Sequence, residues 1–89
     1  MDWSKYAWVK RGKRRQVTLV VFNNAAVPLT INDIHMRSQI AISQASTTVS
    51  ELEKAKLIEC LNPKDKIGKL YKIAATGKEI IVKLEGDKG

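Results

Sequence analysis

Residues 30–73 read TINDIHMRSQIAISQASTTVSELEKAKLIECLNPKDKIGKLYKI, and the order of signals in this stretch decides the fold. Thr30 suits a helix N-cap, and Asp33, at the third position after it, completes a T-x-x-D variant of the capping box. The same carboxylate places negative charge in the first turn, where unpaired backbone N–H groups favour it. Ile31 and Ile34, with His35 beside them, are the inward-facing candidates of this short helix. Ser38 and Gln39 mark a tight turn with Ile40 as its apolar anchor, and Gln39 is expected to keep a negative φ there. Ser43 is the expected N-cap of a second helix that runs to Lys54.

On that second helix, at about 100° per residue, Ala45, Val49, Leu52 and Lys56 share one narrow arc whose apolar members face the core. Opposite them lie Ser43, Thr47, Ser50 and Lys54, with Gln44, Ser46 and Glu51 at the flanks. An idle surface helix usually shows Lys and Glu; this one shows small hydroxyl side chains. Such side chains allow close approach to DNA and can bond phosphates or base edges.

Leu57–Asn62 and Lys69–Ala74 are the strand candidates, joined by Pro63, Lys64, Asp65 and Gly68. Tyr71 and Ile73 alternate with Lys72, as a half-buried strand requires. Two short helices, a tight turn between them and a hairpin with a lysine-rich tip follow the order of a winged helix-turn-helix. The expected fold is α+β: three core helices, a two-stranded wing hairpin and a C-terminal helix, in a single domain over residues 1–89.

Upstream, Trp3, Tyr6 and Val9 fall on one side at helical spacing, which suits core or dimer contact. Arg14 to Asn24 continues as a helix although Val17, Thr18, Val20 and Val21 are β-branched, because Leu19, Val20 and Phe22 show no polar alternation. Asn23 and Asn24 end it before Pro28. Downstream of Ala74 a helix carries Ile80, Ile81 and Leu84, and Gly86, Asp87, Lys88 and Gly89 are expected to fray.

The charge is uneven. The chain has 89 residues, a formal net charge of +7 and 44% hydrophobic residues, enough for one modest core and favourable to anionic partners. Lys10, Arg11, Lys13, Arg14 and Arg15 place five positive charges in six residues, and Lys64, Lys66, Lys69 and Lys72 surround Asp65 in the hairpin. Between Gln39 and Glu53 there is no Lys or Arg. A phosphate-binding surface would therefore have two basic edges and a nearly neutral middle.

Chemistry-bearing residues are sparse. Cys60 is alone, which excludes an intrachain disulfide, and Leu57, Ile58 and Leu61 around it suggest a half-buried strand thiol. His35 and Cys60 form no metal-ligand spacing, and no carboxylate pair or glycine-rich phosphate loop accompanies them. No enzyme activity, cofactor or metal is expected. No apolar run has the length of a membrane span and no signal peptide opens the chain, so a cytoplasmic protein without membrane contact is expected.

The chain resembles the small archaeal and bacterial winged-helix transcription regulators of the MarR/ArsR-like type. The likeness runs from YAWVKRGKRR (6–15) through ELEKAKLIECLNP (51–63) to KLYKIAATGKEI (69–80). Lys56 stands where glycine is commoner in that family, Gln39 stands where its turn often uses glycine, and the recognition helix lacks the family's frequent early arginine or lysine. The resemblance implies a homodimer on double-stranded DNA, with the second motif helix in the major groove and the wing on the minor groove. On this sequence the groove contacts would be Ser43, Gln44, Ser46, Thr47 and Ser50, with Lys64 and Lys66 on the wing. Arg11, Lys13, Arg14 and Arg15 would be further backbone contacts, and the terminal helices, through Trp3, Tyr6, Val9, Ile80, Ile81 and Leu84, would pair the two copies. The function expected is transcriptional regulation by sequence-specific DNA binding; the rival is a winged-helix protein-interaction module.

Overall fold

The computed structural model describes residues 1–87 in full and the backbone of Lys88. Its elements are α1 (Trp3–Arg11), α2 (Lys13–Asn24), α3 (Ile31–Ser38), α4 (Ile42–Lys54), β1 (Ile58–Cys60), β2 (Tyr71–Ile73) and α5 (Ala75–Lys88). β1 and β2 form an antiparallel hairpin in which Ile58 faces Ile73, Glu59 faces Lys72 and Cys60 faces Tyr71. Leu29 adds one more rung: its N–H donates to the Tyr71 carbonyl and its carbonyl accepts from the Tyr71 N–H, both at 2.8 Å. The α+β winged helix-turn-helix is thus present, with α1 as an additional helix ahead of the three-helix core.

α2 is the centre of the molecule and packs against α1, α3, α4, α5 and β2. That position explains why a run of β-branched residues is helical. Thr18, Leu19 and Phe22 are buried, while Val17, Val20 and Val21 are half-buried, so packing on all sides outweighs strand propensity. The buried Thr18 hydroxyl has no hydrogen-bond partner among the described residues.

The core joins Leu19 and Phe22 of α2 to Leu29, Ile34, Ala45, Val49, Leu52, Leu57, Ile58 and Tyr71. Tyr6, Val9, Ile80, Ile81 and Leu84 belong to the same core, which corrects their assignment to a surface between two copies. They are consumed within the chain because α1 and α5 both fold onto α2. Of the six residues assigned to that surface only Trp3 is exposed, and Val82 and Met1 supply further apolar surface on the terminal segments.

The end of α5 is also corrected. The helix continues through Gly86 and Asp87 rather than fraying, because Asp87 is tied back to α1. The Tyr6 hydroxyl donates to its carboxylate, and the ammonium groups of Lys83 and Lys10 lie 3.2 and 3.9 Å away. The Tyr6 hydrogen bond and the neighbouring lysines hold the Asp87 carboxyl below its usual range. The expected tail residue Gly89 lies outside the described residues. At the other end of α5, a side chain on Gly77 would overlap the Leu57 carbonyl oxygen and crowd Ile73, so only glycine lets the helix approach the hairpin this closely.

Candidate nucleic-acid interface

The first motif helix is fixed at its start. The Thr30 hydroxyl accepts from the Asp33 N–H at 3.1 Å, and the Asp33 carboxylate accepts from the Thr30 N–H at 2.9 Å. These two hydrogen bonds, with Arg37 nearby, hold the Asp33 carboxyl below the usual carboxylate range. At the other end the Ser38 hydroxyl donates to the Ile34 carbonyl, and the His35 ring donates from Nδ1 to the Ile40 carbonyl at 2.5 Å. His35 is therefore a turn-bracing residue that anchors Ile40. Gln39 departs from expectation: its φ is 61° and ψ 24°, in the left-handed region, so the turn closes by the geometry that glycine would adopt.

α4 starts two residues earlier than its sequence suggests. Ala41 is the N-cap, with no side-chain hydrogen bond, and Ser43 is the second helical residue instead of the cap. The consequence is that the Ser43 hydroxyl is not consumed as a cap. Ala45, Val49 and Leu52 are buried as expected, and Thr48 joins them with its hydroxyl donating to the Gln44 carbonyl at 2.8 Å. Lys56 does not share the core arc, because the helix ends at Lys54 and Lys56 turns out of it with φ 63°. Ser43, Gln44, Ser46, Thr47 and Ser50 are all exposed. The Thr47 hydroxyl donates to the Ser43 carbonyl at 3.1 Å, which leaves its lone pairs and methyl group outward.

Two basic edges flank this surface. Arg11, Gly12, Lys13, Arg14 and Arg15 form one wall of a shallow groove, and Thr47, Thr48 and Glu51 of α4 form the other. The sequence gives no hint of that adjacency, which arises where α1 meets α2 over α4. Arg11, Lys13 and Arg14 are exposed, whereas Arg15 is half-buried and stacks on Trp8. Gly12 breaks the helix here, and a Cβ on it would sit 2.7 Å from the Arg15 side chain. On the other side, Lys66, Gly68 and Lys69 of the wing face Thr30, Ile31 and Asn32 at the start of α3 across a second groove. Lys64 is exposed at the wing, and Lys72 is turned to Glu59 across the hairpin at 3.3 Å.

Asn62 is the wing residue that the sequence reading passes over. Its amide donates to the Asp65 carboxylate at 2.9 Å and to the Gly68 carbonyl at 3.2 Å, and its oxygen accepts from the Leu70 N–H at 2.7 Å. One side chain thereby fastens both ends of the loop. The Asn–Pro pair at 62–63 was the available signal, since that dipeptide favours turn initiation.

Cys60 is a half-buried free thiol on β1. Among the described residues no group of three or more His, Cys, Asp or Glu side chains is placed to hold a metal ion. Among the same residues no helix is long and apolar enough to cross a membrane.

No family model and no curated protein matches the sequence. Solved structures do match the fold. RV1404 from Mycobacterium tuberculosis superposes with a TM-score of 0.77 at 20% identity, over 91% of this chain and 56% of that one. A MarR/EmrR family transcriptional regulator from Acinetobacter sp. ADP1 gives 0.70 at 21% identity, over 91% and 58% respectively. MepR of S. aureus, solved as a complex with DNA, gives 0.72 at 20% identity, over 96% and 74%. The chain spans little more than half the length of the first two. What these likenesses establish is the fold: the chain folds as the winged helix of MarR-type regulators does.

Proposed function

We propose that this chain is a sequence-specific double-stranded DNA-binding domain of a transcription regulator. The observation that carries the reading is the exposed small-side-chain face of α4 with the α1–α2 basic cluster lying directly along it. Ser43, Gln44, Ser46, Thr47 and Ser50 would meet the major groove, and small side chains let the helix backbone come close to base edges. Arg11, Lys13 and Arg14 would take phosphates on one flank, with Arg15 held in place behind them. Lys64 and Lys66 would take phosphates under the wing. MepR, which shares this fold, has been solved with DNA bound.

Regulation would be steric, by a dimer that occupies its operator. The pairing surface is proposed on the terminal helices, where Trp3 and Val82 are 59% and 69% exposed. The same exposed surface supports the rival reading, a winged helix that binds another protein.

The test is binding to a duplex selected from a random pool. Thr47→Glu should abolish specific binding with little change in stability, since Thr47 is exposed. Neutralising Lys64 and Lys66 together should weaken binding to all duplexes alike and lower the salt slope by at most about 2. Unchanged binding by Thr47→Glu would remove α4 from the interface. Failure of the protein to bind any duplex would favour the protein-interaction reading.

A further inference from the structure

Ile67 is 91% exposed, more than any other large hydrophobic residue among those described. It stands at the tip of the wing, between Lys66 and Gly68, with Lys64 and Lys69 close in sequence. Its two neighbours line the groove against α3, while Ile67 stands outside that groove. The loop beneath it is held by the three hydrogen bonds of Asn62 and by a turn in which the Asp65 N–H donates to the Asn62 carbonyl at 3.0 Å. Gly68, with φ 72°, completes the bend. The tip thus presents one stiff, β-branched apolar side chain on a fastened support, in a segment that carries Lys64, Lys66 and Lys69 against the single acidic Asp65.

We propose that Ile67 is an apolar wedge for the minor groove of duplex DNA. It enters at a pyrimidine–purine step, which its insertion partly unstacks, while Lys64, Lys66 and Lys69 hold phosphates on either side. This rests on the DNA-binding reading and adds a specificity element to it. The minor groove is about 6 Å wide, too narrow for a helix but open to a hairpin tip. Proteins that kink DNA from this groove do so with apolar side chains, isoleucine among them. TA and CA steps unstack most readily, so a wedge selects them without any hydrogen bond to a base edge. That form of readout suits a recognition helix with no Lys or Arg in its first half. Charge complementarity favours DNA as the occupant, since Lys64, Lys66 and Lys69 flank Ile67 in the chain and outweigh the one carboxylate there, Asp65.

The experiment uses end-labelled duplexes of about 30 base pairs that carry one central TA step or a GG step in its place. Affinity is read by anisotropy and bending by energy transfer between the ends, for the wild type, Ile67→Ala and Ile67→Gln. Both substitutions fall on an exposed side chain, and circular dichroism checks that each variant is folded. The wild type should prefer and bend the TA duplex; both variants should bind it about tenfold more weakly, lose the bend and lose the TA preference. Variants that match the wild type in affinity, bend and preference overturn the wedge while leaving DNA binding in place. If the wild type binds neither duplex and instead sediments with phosphatidylserine vesicles, both readings fall and the tip is a membrane-inserting loop.

Discussion

The Arg15 guanidinium lies 4.2 Å from the centre of the Trp8 ring and donates to the Trp8 carbonyl at 2.9 Å, bracing α2 against α1 across the Gly12 break. Arg14, one residue earlier in the same cluster, is exposed and makes no such contact. The two arginines should therefore behave differently. Arg15→Ala is expected to lower stability by about 1 kcal/mol through loss of the stacked pair. Arg14→Ala should stay within about 0.5 kcal/mol of the wild type while lowering the salt slope of duplex binding by about 1. Urea denaturation and binding titrations at several salt concentrations separate the two effects.

Thr18 is fully buried, and its hydroxyl has no hydrogen-bond partner among the described residues. Valine has nearly the same shape without the polar atom, and an unsatisfied buried group costs roughly 1–3 kcal/mol. Thr18→Val should raise stability by about 1 kcal/mol or more, read as a higher urea midpoint with an unchanged slope. A lower midpoint would mean that the hydroxyl has a partner in solution.

Lys56 and Gln39 hold φ values of 63° and 61°. A residue with a Cβ is strained there by roughly 1–2 kcal/mol, whereas glycine adopts the same geometry freely. Lys56→Gly and Gln39→Gly should each stabilise the fold by up to about 1 kcal/mol, because the larger loss of backbone entropy for glycine offsets part of the gain. Thermal unfolding of each variant checks this.

The Thr30–Asp33 capping box gives α3 a pH dependence of known sign. Hydrogen bonds from Thr30 depress the folded-state pKa of Asp33, so its contribution is present above the ordinary carboxylate range and is lost as pH falls through and below that range. Thr30→Ala should cost about 1 kcal/mol near neutral pH. Asp33→Asn should destabilise at about pH 7 and by less at a pH below the ordinary carboxylate range, where the wild-type carboxyl takes up its proton. An equal loss at both pH values would show that the charge plays no part.

Local signals made much of this fold legible. The capping box, the apolar arc of α4 and the alternation of β2 each depend on residues close in sequence, and each is observed. Lys56 and Gln39 were visible as residues standing where glycine is commoner, but their left-handed backbone was not: Gln39 was expected to keep a negative φ and Lys56 to continue the helical arc. Long-range features were not legible. That Tyr6, Val9, Ile80, Ile81 and Leu84 would close on α2 depends on the crossing of three helices, which periodicity does not encode. The adjacency of the basic α1–α2 junction to Thr47 has the same origin. The start of α4 was misplaced by two residues because a good capping residue such as Ser43 is no guarantee that the helix starts there; Ala41 caps α4 without a side-chain bond.

The paired hydrogen bonds between Leu29 and Tyr71 join the segment that leads into α3 to the strand that forms one side of the wing. Motif and wing are therefore tied to each other at the base of the hairpin. In hydrogen-exchange terms, the amides of Leu29 and Tyr71 should show similar protection, since separating the two segments exposes both. A displacement of the wing that carries its base along would then have to break this rung or move the segment leading into α3 with it.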